Sequence, residues 1–463
     1  MKSSFRSIGI AAAAFVSIGV LAPAQSQQGG QSQAQAPQGR QAPAQGQQGQ
    51  QGQRGQGGQG GQQGRPAAPA LGDGPWDLQT ETGMVHVSVL TKDLQSPWGL
   101  VYLPDGSMLV TERPGRLRVI RNGKLDPNPI EGLPDLVATG ISGLFGIALH
   151  PNFAQNRLIY FAYPKPQGAD RDSLTLAVAR ARWDGGAALA DVKDIFVAKD
   201  YYSTAQSRDN NRCCGQGPSN GSFGARLEFD KENRLYITSG DRNWGEKSQD
   251  PQSHIGKIVR VNDDGSVPKD NPFVGKKDYL PEIYTMGHRN QTGLRFDPAT
   301  GTLWSTEFGP AGGDELNRIE AGKNYGWLLI THGNHYNNEP KKLGTGGVNG
   351  YVDPVIWWPR SGNPGNLIVY RGSVFPAWQG NVLIAAMSNR TLGAGLVRAV
   401  IGENGALVHE ERMLTEIGTR MRDVVQAPDG KVVVLTEASA FASPGAILVV
   451  EPGAEPAAPQ RQQ

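Results

Sequence analysis

Cysteine is almost absent from this 463-residue chain: there are two, Cys213 and Cys214, and they are neighbours. No disulfide can therefore tie distant parts of the chain together. The pair closes on itself as a strained vicinal ring, stays as two thiols, or bridges to another chain. Excess charge is missing as well. With 45 basic and 43 acidic residues the formal net charge is +2, and the signs are interspersed. Without a basic stripe, nucleic acid is not an expected partner. Long apolar runs stop after the first two dozen residues, so no later stretch can span a bilayer. No long segment carries a helical hydrophobic period.

What is present starts with "MKSSFRSIGIAAAAFVSIGVLAPAQS". Lys2 and Arg6 precede an apolar run, and "APA" closes it with small residues. This predicts a secretory signal peptide over residues 1–24, with periplasmic or extracellular delivery after cleavage. Export in turn favours the vicinal ring at Cys213 and Cys214 over exposed thiols. Residues 25–70 are nearly all Gln, Gly, Pro and Ala. Such a composition cannot offset the entropy of ordering, so a disordered linker is expected. Residues 454–463 read as a similar tail. The folded part is then 71–453.

Within it one phrase recurs. "SPWGLVYLPDGSMLVTERPGRLRVIRNGKL" is strand, Pro-Asp-Gly turn, strand and strand, and "RMRDVVQAPDGKVVVLTEASAFASPGAILVVEP" repeats it near the C-terminus. Between them lie "GLFGIALHPNFAQNRLIYFAYP", "GARLEFDKENRLYITSGDRNW", "TGLRFDPATGTLWSTEFGP" and a looser copy from Gly365. The runs are short, rich in β-branched and aromatic residues, and punctuated by Gly, Asp, Asn and Pro. Repetition at this spacing predicts an all-β, six-bladed β-propeller of four-stranded antiparallel blades, with a β-sandwich as the alternative. In each copy the second strand ends in a polar cluster: "TER", "SGDRNW", "STEFGP", "LTEAS". Repetition places these clusters on one face, where a propeller assembles its site.

At these loops the chain resembles the soluble PQQ-dependent sugar dehydrogenases, the glucose/sorbosone and aldose sugar dehydrogenase family. The segments that carry the resemblance are "IGKIVRVNDDGSVPKDNPF", "IYTMGHRNQTGLRFDP", "EFGPAGGDELNRIEAGKNYGW" and "RMRDVVQAPDG". It implies a quinoprotein oxidoreductase that binds pyrroloquinoline quinone (PQQ) through calcium. The substrate would be a sugar or polyol, and a quinone or cytochrome would accept the electrons. Matching positions assign PQQ contacts to Arg289, Asn290, Arg420 and Arg422. They assign calcium to the main-chain carbonyls of Gly309 and Pro310, and a second, structural calcium to Glu315 and Tyr325. The chemistry agrees: a flat tricarboxylate wants guanidinium forks, and a hard cation wants carbonyl oxygens.

One family element is missing. Sugar oxidation calls for a general base, which the family supplies as a histidine oriented by an aspartate. The aspartate position here is Asp241, but Ser222 stands at the histidine position, and no histidine occurs between His150 and His254. Ile141 replaces a family glutamine, and Phe308 a family His or Gln. Three readings stay open: Asp241 is the base, His254 or His288 reaches in, or the protein binds ligand without turnover. The rival class is a non-redox propeller, either a calcium-dependent lactonase-like hydrolase or a silent carbohydrate- or PQQ-binding protein.

Overall fold

The computed structural model describes residues 71–203, 221–336, 350–388, 393–440 and 443–454. Cys213, Cys214, the expected signal peptide, the expected Gln/Gly-rich linker and residues 455–463 lie outside the described residues. The chain divides into a unit ending at Arg65, also outside them, and a unit of Pro66–Gln463 that carries the whole fold.

Six antiparallel sheets follow one another along the chain. Blade 1 starts at Pro97–Tyr102, blade 2 at Ile147–Leu149 and blade 3 at Gly224–Phe229. Blade 4 starts at Asn290–Phe296, blade 5 at Pro364–Val369 and blade 6 at Arg420–Gln426. These first strands contact one another in sequence and back to blade 1, so they line a central channel. The expected six-bladed propeller is the observed one.

Two blades depart from four strands. Blade 2 gains Tyr202–Ser203, paired onto Asp170–Arg182. Blade 6 takes three strands from the C-terminus and two from the start of the fold. Gly83–Gln95 pairs with Pro444–Pro452, and Trp76–Thr80 is added outside it.

The second strands are apolar almost end to end. Met108–Glu112, Val382–Ala386 and Val432–Glu437 are buried at every position. Each is covered on both faces by adjoining blades, so it reads as a continuous run and not as an alternation. The largest interblade core gathers Trp98, Phe145, Tyr160, Phe223 and Ile237. In the "PDG" turns the aspartate folds the chain back: Asp105 accepts the Ser107 N–H at 2.9 Å and Asp429 the Lys431 N–H at 3.1 Å. No helix among the described residues is long and apolar enough to cross a membrane.

Candidate active site

The repeated Thr-Glu phrase has a structural cause. In blades 1 and 4 its threonine hydroxyl donates to the main chain of the next blade, Thr111 to Phe145 and Thr306 to Gly365, and Thr238, which precedes Ser239, does the same to Gln291. These bonds lock the blades at one end of the channel. The glutamate that follows is buried and gathers cations or N–H donors. Glu112 takes Arg116 and Arg118, Glu307 takes His288 and the Arg289 N–H, and Glu437 takes a set of arginines.

That last set is the densest charge cluster of the face. Oε1 of Glu437 accepts Nε and Nη2 of Arg420 at 3.1 and 3.0 Å, and Nη2 of Arg422 at 2.6 Å. A backbone bulge between Met421 and Asp423 does not prevent both arginines from reaching it. On the other side, Arg113 Nη2 stands 3.4 Å from Oε2. Burial works against the Glu437 carboxylate, yet the guanidiniums of Arg422, Arg420 and Arg113 outweigh it and hold its pKa below the usual value. Three guanidiniums against one carboxylate leave a surplus of positive charge. Nε of Arg422 is buried with no partner among the described residues. Such a cluster suits an anion with several carboxylates.

The Ser222–Asp241 corner lies on blade 3, across the channel from blade 6. The hairpin of Gly224–Phe229 and Arg234–Ser239 pairs Gly224 with Ser239 and so returns Asp241 to the end where Ser222 sits. The Arg242 N–H donates to the Ser222 carbonyl at 3.1 Å. Gly240 is required here, because a Cβ would stand 2.2 Å from that carbonyl oxygen. Among the described residues, four of the twelve non-glycine residues in left-handed backbone cluster at this corner: Ser222, Ala225, Arg242 and Asn243. Strain gathered in one place is a feature of functional sites.

Asp241 is fully buried. Its Oδ2 accepts the Trp327 indole N–H at 2.9 Å and its Oδ1 the Asn243 N–H at 2.9 Å. Ser222 Oγ lies 3.3 Å from Asn243 Oδ1, so Asn243 bridges the two predicted residues. Arg242 ties the same corner down: Nε donates to the Gly221 carbonyl, and the guanidinium lies 3.6 Å over the Phe223 ring.

Arg289 and Asn290 join this corner to blade 4. The Asp241 N–H donates to the Arg289 carbonyl, Arg289 Nη1 reaches the Phe308 carbonyl at 3.2 Å, and Asn290 Oδ1 accepts the Gly224 N–H at 3.0 Å. The two histidines open to the base role are committed elsewhere. His288 is fully buried between Glu307 and Thr285, both at 2.9 Å, and stacks on Tyr325. His254 accepts the Lys199 N–H and faces Glu282 at 3.6 Å.

The Gly309–Gly313 turn is braced by Asp314. Its Oδ1 accepts the Gly309 N–H at 2.9 Å, and its Oδ2 the N–H groups of Gly362 and Asn363 at 2.8 and 2.7 Å. Carbonyls crowd this turn. A Cβ on Gly333 would stand 2.2 Å from the Gly312 oxygen and 2.3 Å from that of Pro310. Hard oxygens converging in a rigid turn suit a calcium ion. Glu315 lies directly across from Glu307. Burial first, then Glu307, pushes its pKa up to about 8, with Asp314 and Asp353 adding to the effect. Carboxylates crowded in this way favour a nearby cation. Tyr325 reaches the same cluster through its stack on His288.

Sequence reading missed Arg113, Glu437 and Trp327 as members of the site. "TER" and "LTE" marked the first two as polar strand ends, but nothing local reveals that they meet.

The glucose/sorbosone dehydrogenase family profile matches residues 94–448. An uncharacterized protein of Synechocystis is 38% identical over 362 residues, covering 74% of this chain and 82% of that protein. The aldose sugar dehydrogenase YliI of Escherichia coli is 35% identical over 371 residues, covering 80% of this chain and 93% of that one. Among solved structures, the apo form of the soluble aldose sugar dehydrogenase from E. coli superposes with a TM-score of 0.71 at 34% identity, over 80% of this chain and all of that one. The PQQ-bound aldose sugar dehydrogenase from Streptomyces coelicolor gives 0.59 at 26%, over 82% of this chain and all of that one.

Proposed function

Because this chain belongs to the glucose/sorbosone dehydrogenase family, we propose that it is a PQQ- and calcium-dependent dehydrogenase that acts after export. It oxidises a sugar or related alcohol or aldehyde and delivers the electrons to an external acceptor, a quinone or a cytochrome. That it is a sugar dehydrogenase-like oxidoreductase follows from the family. The observation that best supports the cofactor is the surplus of guanidinium charge around Glu437.

PQQ, when bound, supplies a two-electron quinone that accepts hydride. Arg420, Arg422, Arg289 and Asn290 would hold its carboxylates and polar edge, and the Gly309 and Pro310 carbonyls would hold its calcium. Glu315 and the Tyr325 carbonyl would hold a second ion. Asp241 takes the proton of the substrate hydroxyl. Its two oxygens accept hydrogen bonds from Trp327 and Asn243, which fix the carboxylate in place. Ser222 donates its hydroxyl to the side chain of Asn243, the residue whose main-chain N–H holds that carboxylate. The commitments of His288 and His254 favour Asp241 over either ring. Family membership speaks against the hydrolase and silent-binder readings.

Reconstitution tests the proposal. Apoprotein titrated with PQQ and calcium is expected to show a saturable bound-quinone spectrum, followed by dye-linked turnover on a panel of aldoses and polyols. No saturable binding would overturn the cofactor. Binding without turnover on any sugar would return the protein to the binder class.

A further inference from the structure

We propose that Glu437 and Arg113 are positioning residues for the anion site, acting on the cofactor through Arg420 and Arg422. The inference rests on the quinone reading above. Glu437 is wholly buried and spends one oxygen on both arginines of the Arg420–Gln426 strand. Arg113 lies behind it, from the far end of the chain. Its Nη1 is tied to the Ala440 carbonyl at 2.7 Å and its Nη2 faces the second Glu437 oxygen. Arg420 is held from a third direction by the Met387 carbonyl at 2.7 Å. Blades 1 and 6 therefore meet at one carboxylate, and blade 5 holds Arg420 against it. The planes of Arg420 and Arg422 are set before any ligand arrives, and the ordering cost of binding is lowered accordingly.

A bland role for Glu437 is to neutralise its neighbours, and the two roles predict opposite signs. A neutraliser weakens an anionic ligand, so removing its charge tightens binding. A positioning residue strengthens the ligand through geometry, so removing it loosens binding although a repelling charge has gone.

The probe is PQQ itself, titrated by fluorescence quenching into the calcium-supplemented full chain. Melting curves confirm the fold of each variant. Glu437→Gln is expected to weaken PQQ about tenfold or more, and Glu437→Asp to recover part of the loss, in keeping with charge-assisted bonds that depend on alignment. Arg113→Gln is expected to weaken it about tenfold with a shallower dependence on salt. Unchanged or tighter binding in folded Glu437→Gln overturns the proposal. If that variant does not fold, unchanged affinity in both Glu437→Asp and Arg113→Gln overturns it equally. A parent chain that binds no PQQ removes the quinone reading and this inference with it, a result distinct from parental binding that the variants leave unaltered.

Discussion

Arg226 and Asp423, 197 residues apart in sequence, meet at 3.2 Å across the central channel, joining the inner strands of blades 3 and 6. Arg226 lies 3.9 Å over the Trp98 ring and donates to the Thr292 carbonyl, and Asp423 accepts the Leu100 N–H. Both side chains are almost entirely buried. Removing one partner strands the other's charge, so Asp423→Ala should destabilise the fold by about 3–5 kcal/mol. The denaturant midpoint is the measurement, and a loss under 1 kcal/mol, the usual value of a surface pair, would show that the bolt is idle.

Arg422→Ala should weaken PQQ by about 1.5–3 kcal/mol, the loss of a charge-assisted hydrogen bond. Removing Arg420 as well should abolish measurable binding. Unchanged affinity in the double variant places the quinone elsewhere.

Asp241→Asn should abolish dye-linked turnover while PQQ still binds, because the amide keeps the shape and loses the basicity. Ser222→His should then raise aldose oxidation in the parent background, since it puts an imidazole beside the carboxylate that Trp327 and Asn243 hold in place. Parental turnover in Asp241→Asn would mean that another group is the base.

Calcium added to chelator-treated protein should raise the melting temperature, because a ligand that binds only the folded state stabilises it by mass action. In Glu315→Gln the rise should be smaller, and the chelated variant should melt no lower than the chelated parent, since a crowded carboxylate has been neutralised. An equal calcium response in both proteins removes Glu315 from the ion's surroundings.

Glu437 sets an acid limit. Its folded pKa is depressed, so the stability it contributes is complete above its unfolded value of about 4.5 and fades as pH falls through the folded one. Melting temperature in calcium-free buffer should therefore drop below about pH 4.5, and Glu437→Gln should flatten that part of the profile. A parallel drop in parent and variant assigns the acid limit to other carboxylates.

Much of this was readable in the chain. The blades announced themselves because a buried second strand is apolar for most of its length and a polar turn links it to the first, "PDG" in the first and last copies. Arg420 and Arg422 could be singled out from the segment that matches the family. The five-stranded closing blade could not, since the pairing of Gly83–Gln95 with Pro444–Pro452 is written only in the three-dimensional register. Nor could the partnership of Arg113 with Glu437, 324 positions apart, or the 86-residue step from Asp241 to Trp327. Long-range contacts between polar strand ends leave no local period. The Thr-Glu phrase marked them as special but named no partner.

The closing blade also puts the process of folding in a definite order. Residues 76–95 supply two strands that have no sheet to join until Arg420–Gln426, Val432–Glu437 and Pro444–Pro452 exist. A nascent chain carries these two strands, paired only with each other, through the synthesis of five blades, with the outer edge of Gly83–Gln95 exposed for all that time. Loop closure over more than three hundred residues is the slow kind of contact, and its latency is when aggregation threatens. The arginine cluster is assembled by the same event, since Arg113 belongs to the first blade and Glu437 to the last. Competence to hold the cofactor thus arrives as the final act of folding, and a cofactor encounter before that moment has nothing complete to meet.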